Sequence, residues 1–211
     1  MRGSAPARND IATRVADAIL GFVGEVPGSS TMPSNTPAEV ARGVANSAAA
    51  KAGLTAGSLA LPVGPIGWLT ILPELVAVWR IQARMVADIA ALYDQTASLT
   101  REHMLYCLFR HSAAQAVRDL VARAGERLLV NSVSLGALQG VARAIGVEIT
   151  QHAIGRGVAR WIPFAGAVGV GAYAYYDTAR VASTAMEFFA QVVEVEVEAA
   201  TGPVHGQGRA R

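Results

Sequence analysis

The stretch Ser58-Leu-Ala-Leu-Pro-Val-Gly-Pro-Ile-Gly-Trp-Leu-Thr-Ile-Leu-Pro73 carries no charge, and it belongs to an uncharged run of 22 residues, Ala52 to Pro73, between Lys51 and Glu74. About 20 apolar residues in helical form cross a bilayer, so length alone admits a membrane span. The prolines at 62, 65 and 73 argue against one. Each interior proline removes a backbone donor and clashes with the preceding turn, and a lipid-exposed backbone broken that often would leave polar groups without partners. The run reads instead as a place where the chain turns back on itself within a helical bundle and lines an apolar site.

Helical patterns flank the run on both sides. Thr36-Pro37-Ala38-Glu39 combines an N-cap threonine, proline at the first helical position and glutamate three residues after the cap, so a helix is expected from there toward Leu59. From Pro73 a second helix carries Leu75, Val78, Trp79, Met85, Val86, Ile89 and Tyr93 on one stripe, with Arg80, Arg84 and Asp88 opposite. Asp10 to Gly24 predicts a short amphipathic helix, closed by the linker Val26-Pro-Gly-Ser-Ser-Thr-Met-Pro-Ser-Asn35. A third long helix is expected from near Thr100, with a break at Ala124-Gly125 and a glycine-rich helical segment after Glu126. The last helix should run from about Phe164 to Ala200; its tail, Val193 to Glu198, alternates with period two but has no second strand-like run to pair with.

The expected fold is therefore all-α, a single-domain helical bundle. Residues 1–35 read as an N-terminal arm with a short helix and linker, 36–200 as the helical domain and 201–211 as a disordered tail. Met1-Arg-Gly-Ser4 resembles a vector remnant, and residues 1 to about 8 carry no fold expectation. A faint echo links Pro62, Arg80 and Met85 to Pro163, Arg180 and Met186, each set spanning a Gly-rich apolar turn. It would make the bundle two related hairpin halves.

Of 211 residues, 52% are hydrophobic and only 16% charged, well below the usual quarter. That composition favours a membrane-associated, oligomeric or lipid-handling protein. Lys51 is the only lysine and the arginines are scattered, so the basic footprint of a nucleic-acid binder is missing. The single cysteine, Cys107, fits a reducing compartment, and the N-terminus lacks a long apolar signal region. A cytoplasmic location, with or without membrane association, is the expectation.

Two blocks resemble the EcsC family of bacterial proteins. One is Leu61-Pro62 through Gly67, then Pro73-Glu74-Leu75 and the helix from Gln82 to Tyr93. The other is Gly155-Arg156 through Arg160-Trp161-Ile162-Pro163 and Gly166, leading into an apolar helix with Asp177, Thr178 and Arg180. With their flanking helices they cover roughly residues 40 to 190. The resemblance implies an all-helical protein associated with transport or membrane processes, and it carries over no catalytic residue. Where the family commonly shows Leu-Tyr-Gly, this chain has Leu92-Tyr93-Asp94, so the helix either ends differently there or runs on.

Several residues stand out as candidate ligand contacts. Gln82 lies within the apolar stripe of its helix, beside Trp79 and Met85, and a buried amide needs partners; it either bonds a neighbouring helix or faces a cavity that holds a polar head group. Asp177, after the cluster Tyr173, Tyr175 and Tyr176, poses the same choice, with Arg180 or Arg156 as the expected partner. Arg156 and Arg160 beside Trp161 resemble a phosphate clamp at a membrane interface, or simply helix-end charges beside a core tryptophan. His103, Cys107 and His111 stand four residues apart, a set zinc would accept with His152. However, Leu105, Leu108 and Phe109 define the apolar stripe of that helix and put the His/Cys line on the opposite, solvated face, so no metal is assigned.

No nucleophile motif, phosphate loop or dinucleotide fingerprint appears, and no cofactor is expected. The leading expectation is a binding or transport-accessory protein for a hydrophobic ligand, lipid or polyketide-like, or for a membrane surface. Two alternatives stand beside it: an enzyme that shapes or cyclises an apolar substrate in a bundle cavity, and a helical homo-oligomerisation module.

Overall fold

The computed structural model of the protein describes residues 5–23, 25–59, 67–111, 139–148 and 163–201. They form six helices and no strand: α1 (Ala5–Val23), α2 (Pro37–Leu59), α3 (Gly67–Leu92), α4 (Arg101–Phe109), α5 (139–148) and α6 (Pro163–Thr201). Of the turn expected between Leu61 and Pro73, the part from Gly67 on is helix, and the rest, the break at Ala124-Gly125 and the tail beyond Thr201 lie outside the described residues.

The longest helix, α6, packs against α2 and α3, which also pack against each other. What brings α2 and α6 together is the absence of side chains. The inward face of α2 is alanine at positions 41, 45, 48, 49, 52 and 56, and at Gly53 and Gly171 the two backbones nearly touch. A Cβ on Gly171 would lie 2.8 Å from the Gly53 carbonyl oxygen, and one on Gly53 would lie 3.0 Å from that of Gly171. Gly53 also faces Tyr175, while Gly171 faces Gly57, so the pair runs antiparallel.

The rest of the core is built from larger residues. The stripe read on α3 is buried as expected at Val78, Trp79, Met85, Val86 and Ile89; the last four share one core with Ile19 of α1, Met104, Leu105 and Phe109 of α4, Ile145 of α5 and Phe189 of α6, while Val78 packs with Ala52, Ala56 and Ala174. Trp79 packs edge-on against Phe109 with ring centroids 5.4 Å apart. Each such side chain contributes about 1.5–3 kcal/mol on burial. Gly146 lets α5 approach α1, because a Cβ there would meet the Ala12 carbonyl oxygen at 2.5 Å.

Helix ends differ from the sequence reading in three places. First, α3 begins at Gly67, with Pro73 inside it; the proline lies on the exposed side, so only one intrahelical bond is forgone. Second, α1 begins at Ala5 rather than Asp10, since a proline at position 6 falls in the first turn, where its missing donor costs nothing. Third, α4 has only 9 residues and ends at Phe109, with Arg110 as C-cap. Of the two outcomes left open at Asp94, the helix ends: α3 stops at Leu92 and does not run on. Asp94 takes φ 60°, its N–H donates to the Ala91 carbonyl and that of Gln95 to the Ala90 carbonyl, which is the Schellman pattern that glycine usually closes.

Between α1 and α2 the segment 25–36 crosses α3 as a strap without regular structure. Ser29 Oγ donates to Asp88 Oδ1 at 2.6 Å, Thr31 Oγ1 donates to the same oxygen at 3.2 Å, and Ser34 N–H donates to the Leu92 carbonyl at 3.1 Å. Asp88 is thereby committed to the strap.

Candidate functional site

The bundle buries a polar cluster where α3, α6 and the end of α4 converge. Gln82 is 0% exposed, and its Nε2 donates to Asp177 Oδ2 at 2.8 Å and to Thr178 Oγ1 at 3.2 Å. The other carboxylate oxygen, Asp177 Oδ1, lies 2.8 Å from His111 Nε2. A carboxylate only accepts, so His111 Nε2 carries the proton of that bond. Among the described residues, two buried atoms of the cluster have no hydrogen-bond partner: Gln82 Oε1 and His111 Nδ1.

Each member owes its place to a helix. Gln82 projects inward because it sits on the buried stripe of α3, between Val78 and Met85. Asp177 and Thr178 are adjacent on α6 and straddle the seam with α3. His111 is delivered by the turn that ends α4, nine residues after Glu102 and two after the buried Phe109. Of the residues singled out from the sequence, Gln82 and Asp177 are thus brought into direct contact. Asp177 is not paired with Arg180, whose guanidinium lies 5.9 Å from the Tyr176 ring centre; the partner is His111, 66 residues away in the chain, and nothing local in the sequence signals it.

The solvated His/Cys face expected on α4 is overturned. His103 and Cys107 are buried, as are Leu105, Leu108 and Phe109, because α4 is held between α3, α6 and α1. His103 closes the N-terminus: Thr100 Oγ1 accepts from the His103 N–H at 3.3 Å, and His103 Nδ1 accepts from the Thr100 N–H at 3.4 Å. Its ring lies 4.9 Å from that of Phe188. Burial pushes the Cys107 thiol well above its ordinary range, and the opposing charge of Arg110 does not offset this. Among the described residues no group of three or more His, Cys, Asp or Glu side chains could hold a metal ion.

Trp79 and Met85 belong to the packed core, whereas Tyr173 is exposed on α6. Arg156, Arg160 and Trp161 lie outside the described residues. Around Tyr173, α6 exposes a surface that sequence reasoning had treated as interior: Val168 at 73%, Tyr176 at 67%, and Tyr175, with Leu54 of α2 at 77%. In an antiparallel pair, successive residues turn out of the contact toward the same side. Leu54, one step past Gly53, and Ala172, one step past Gly171, therefore emerge together, and helical spacing adds Val168, Tyr175 and Tyr176 to that side. The face is uncharged, with Lys51 and Arg180 exposed at its margins.

Among the described residues no helix is long and apolar enough to cross a membrane. No family profile, curated protein or solved structure matches the chain.

Proposed function

We propose that the protein binds lipid, at a membrane surface, through the exposed face that α2 and α6 share. The observation that carries this reading is the exposure of Leu54, Val168, Tyr175 and Tyr176 on one side of the glycine contact. Tyrosine is at home at a bilayer interface, where its ring is apolar and its hydroxyl wet. Lys51 and Arg180 at the margin add attraction to anionic lipid of about 1 kcal/mol each. The resemblance of the two sequence blocks to the EcsC family, and with it an association with membrane processes, is part of the same proposal, as is a cytoplasmic setting.

Flotation with phosphatidylcholine vesicles containing phosphatidylglycerol tests it. The protein should float with the vesicles, and Val168→Asp or Tyr176→Asp, both surface changes, should weaken binding about tenfold, since a charge replaces buried apolar contact. Absence of flotation, or flotation indifferent to these substitutions, sinks the reading. Light scattering on the same samples covers the oligomer alternative: a stable dimer disrupted by Tyr176→Asp would assign the face to a second copy.

A further inference from the structure

We infer that Gln82, His111 and Asp177 form a recognition site for a hydrogen-bond-donating polar group, a hydroxyl or an amine, on an apolar molecule, and that the site discriminates against phosphate and carboxylate head groups. The inference rests on the lipid-binding reading and names the chemistry of what is bound. It starts from the fully buried Gln82, whose amide nitrogen is used twice and whose oxygen is not used at all. Amide oxygens only accept.

His111 leads to the same sign. With its Nε2 proton in the bond to Asp177, the ring leaves Nδ1 buried without a partner, and in the neutral form that atom carries a lone pair. The unused capacity of the cluster is therefore acceptor capacity, arranged around a carboxylate. A hydroxyl or an amine supplies the missing donor; an anionic oxygen supplies none and meets a like charge.

The cationic side chains nearby do not reverse this. Arg110 Nη1 is 3.4 Å from Glu187 Oε2 and its guanidinium lies 5.3 Å from the Tyr106 ring centre, while Arg180 lies over Tyr176. Both unused acceptors are buried, so a ligand reaches them only by way of the outer edge of the cluster. The His111 and Asp177 side chains retain 14% and 16% of their surface, and Tyr173, one turn before Asp177 on α6, is exposed on the same side of the helix. An apolar body lying along Tyr173 and Tyr176 brings its polar end to Asp177 and His111.

The test uses the full chain and four probes of equal length, decanol, decylamine, decanoate and decyl phosphate, with dissociation constants from calorimetry below their aggregation limits. Decanol or decylamine should bind at least about tenfold tighter than the two anions. Gln82→Met and His111→Gln, checked for folding by circular dichroism, should remove that preference. Vesicles of phosphatidylcholine with and without diacylglycerol show whether the hydroxyl is a lipid's: flotation enhanced by diacylglycerol and lost in His111→Gln assigns it to the membrane, and tight decanol binding without that enhancement assigns it to a soluble molecule. Equal or tighter binding of the anions overturns the inference, as does selectivity that survives in both variants. Flotation without binding of any decyl probe overturns the site alone; failure of both overturns the lipid-binding reading beneath it. If neither variant folds, the wild-type ranking of the four probes decides.

Discussion

Gly171 stands so close to Gly53 that neither position has room for a methyl group: the added Cβ of Gly171 would sit 2.8 Å from a backbone oxygen that no rotamer can move. Gly171→Ala must force α2 and α6 apart and should destabilise the fold by about 1–3 kcal/mol. Two residues earlier, a Cβ on Gly169 meets nothing within 4 Å. Gly169→Ala should therefore stabilise by about 0.5–1 kcal/mol, the helix-interior cost of glycine. Urea unfolding of the two variants checks the pair, and shifts of the same sign would contradict the close approach.

Asp94 holds a left-handed conformation that costs an ordinary residue about 1–2 kcal/mol. Asp94→Gly should recover about 1 kcal/mol without moving the helix end, read as a rise in thermal midpoint with unchanged helical content. A fall would mean that the aspartate side chain makes a contact worth more than the backbone strain.

Gln82 and Asp177 should be energetically coupled. Gln82→Ala and Asp177→Ala are each expected to cost about 1–3 kcal/mol, because each leaves buried partners unpaired. A double-mutant cycle should give a coupling of at least about 0.5 kcal/mol. Additive effects would show that the 2.8 Å contact contributes nothing.

Burial raises the Cys107 thiol pKa, so the folded state keeps the proton that the unfolded chain releases. The associated stability is fully present below about pH 8.5, the ordinary thiol value, and declines at up to about 1.4 kcal/mol per pH unit above it. Cys107→Ala should flatten the alkaline limb of the stability profile, and the native thiol should resist alkylation until the protein unfolds. An alkaline limb as steep in Cys107→Ala as in the parent would assign the pH dependence to other groups.

Helix periodicity was legible because it is written locally. The α3 stripe from Val78 to Ile89, the start of α2 at Pro37 and the helical fate of Val193–Glu198 followed from spacing, capping and the want of a strand partner. What the sequence hid depends on neighbours. His103 and Cys107 look solvated when set against Leu105 and Leu108, but a nine-residue helix held among three others is buried all round. Pro73 looked like a helix start, though an exposed proline in an established helix costs one bond and no packing. Gln82 and Asp177 were each marked as buried polar groups in want of partners. That they partner each other, with His111 on the far carboxylate oxygen, is a fact of tertiary distance.

The strap from Ser29 to Ser34 has a consequence for α1. Its buried residues Val15, Ala16 and Ile19 dock on a bundle to which the helix is already leashed, so re-docking after a local opening is an encounter at an effective concentration on the order of millimolar. A free peptide copy of α1 would have to reach that level to compete. Asp88→Ala would loosen the leash at Ser29 and Thr31 and so govern how long the first helix stays in place.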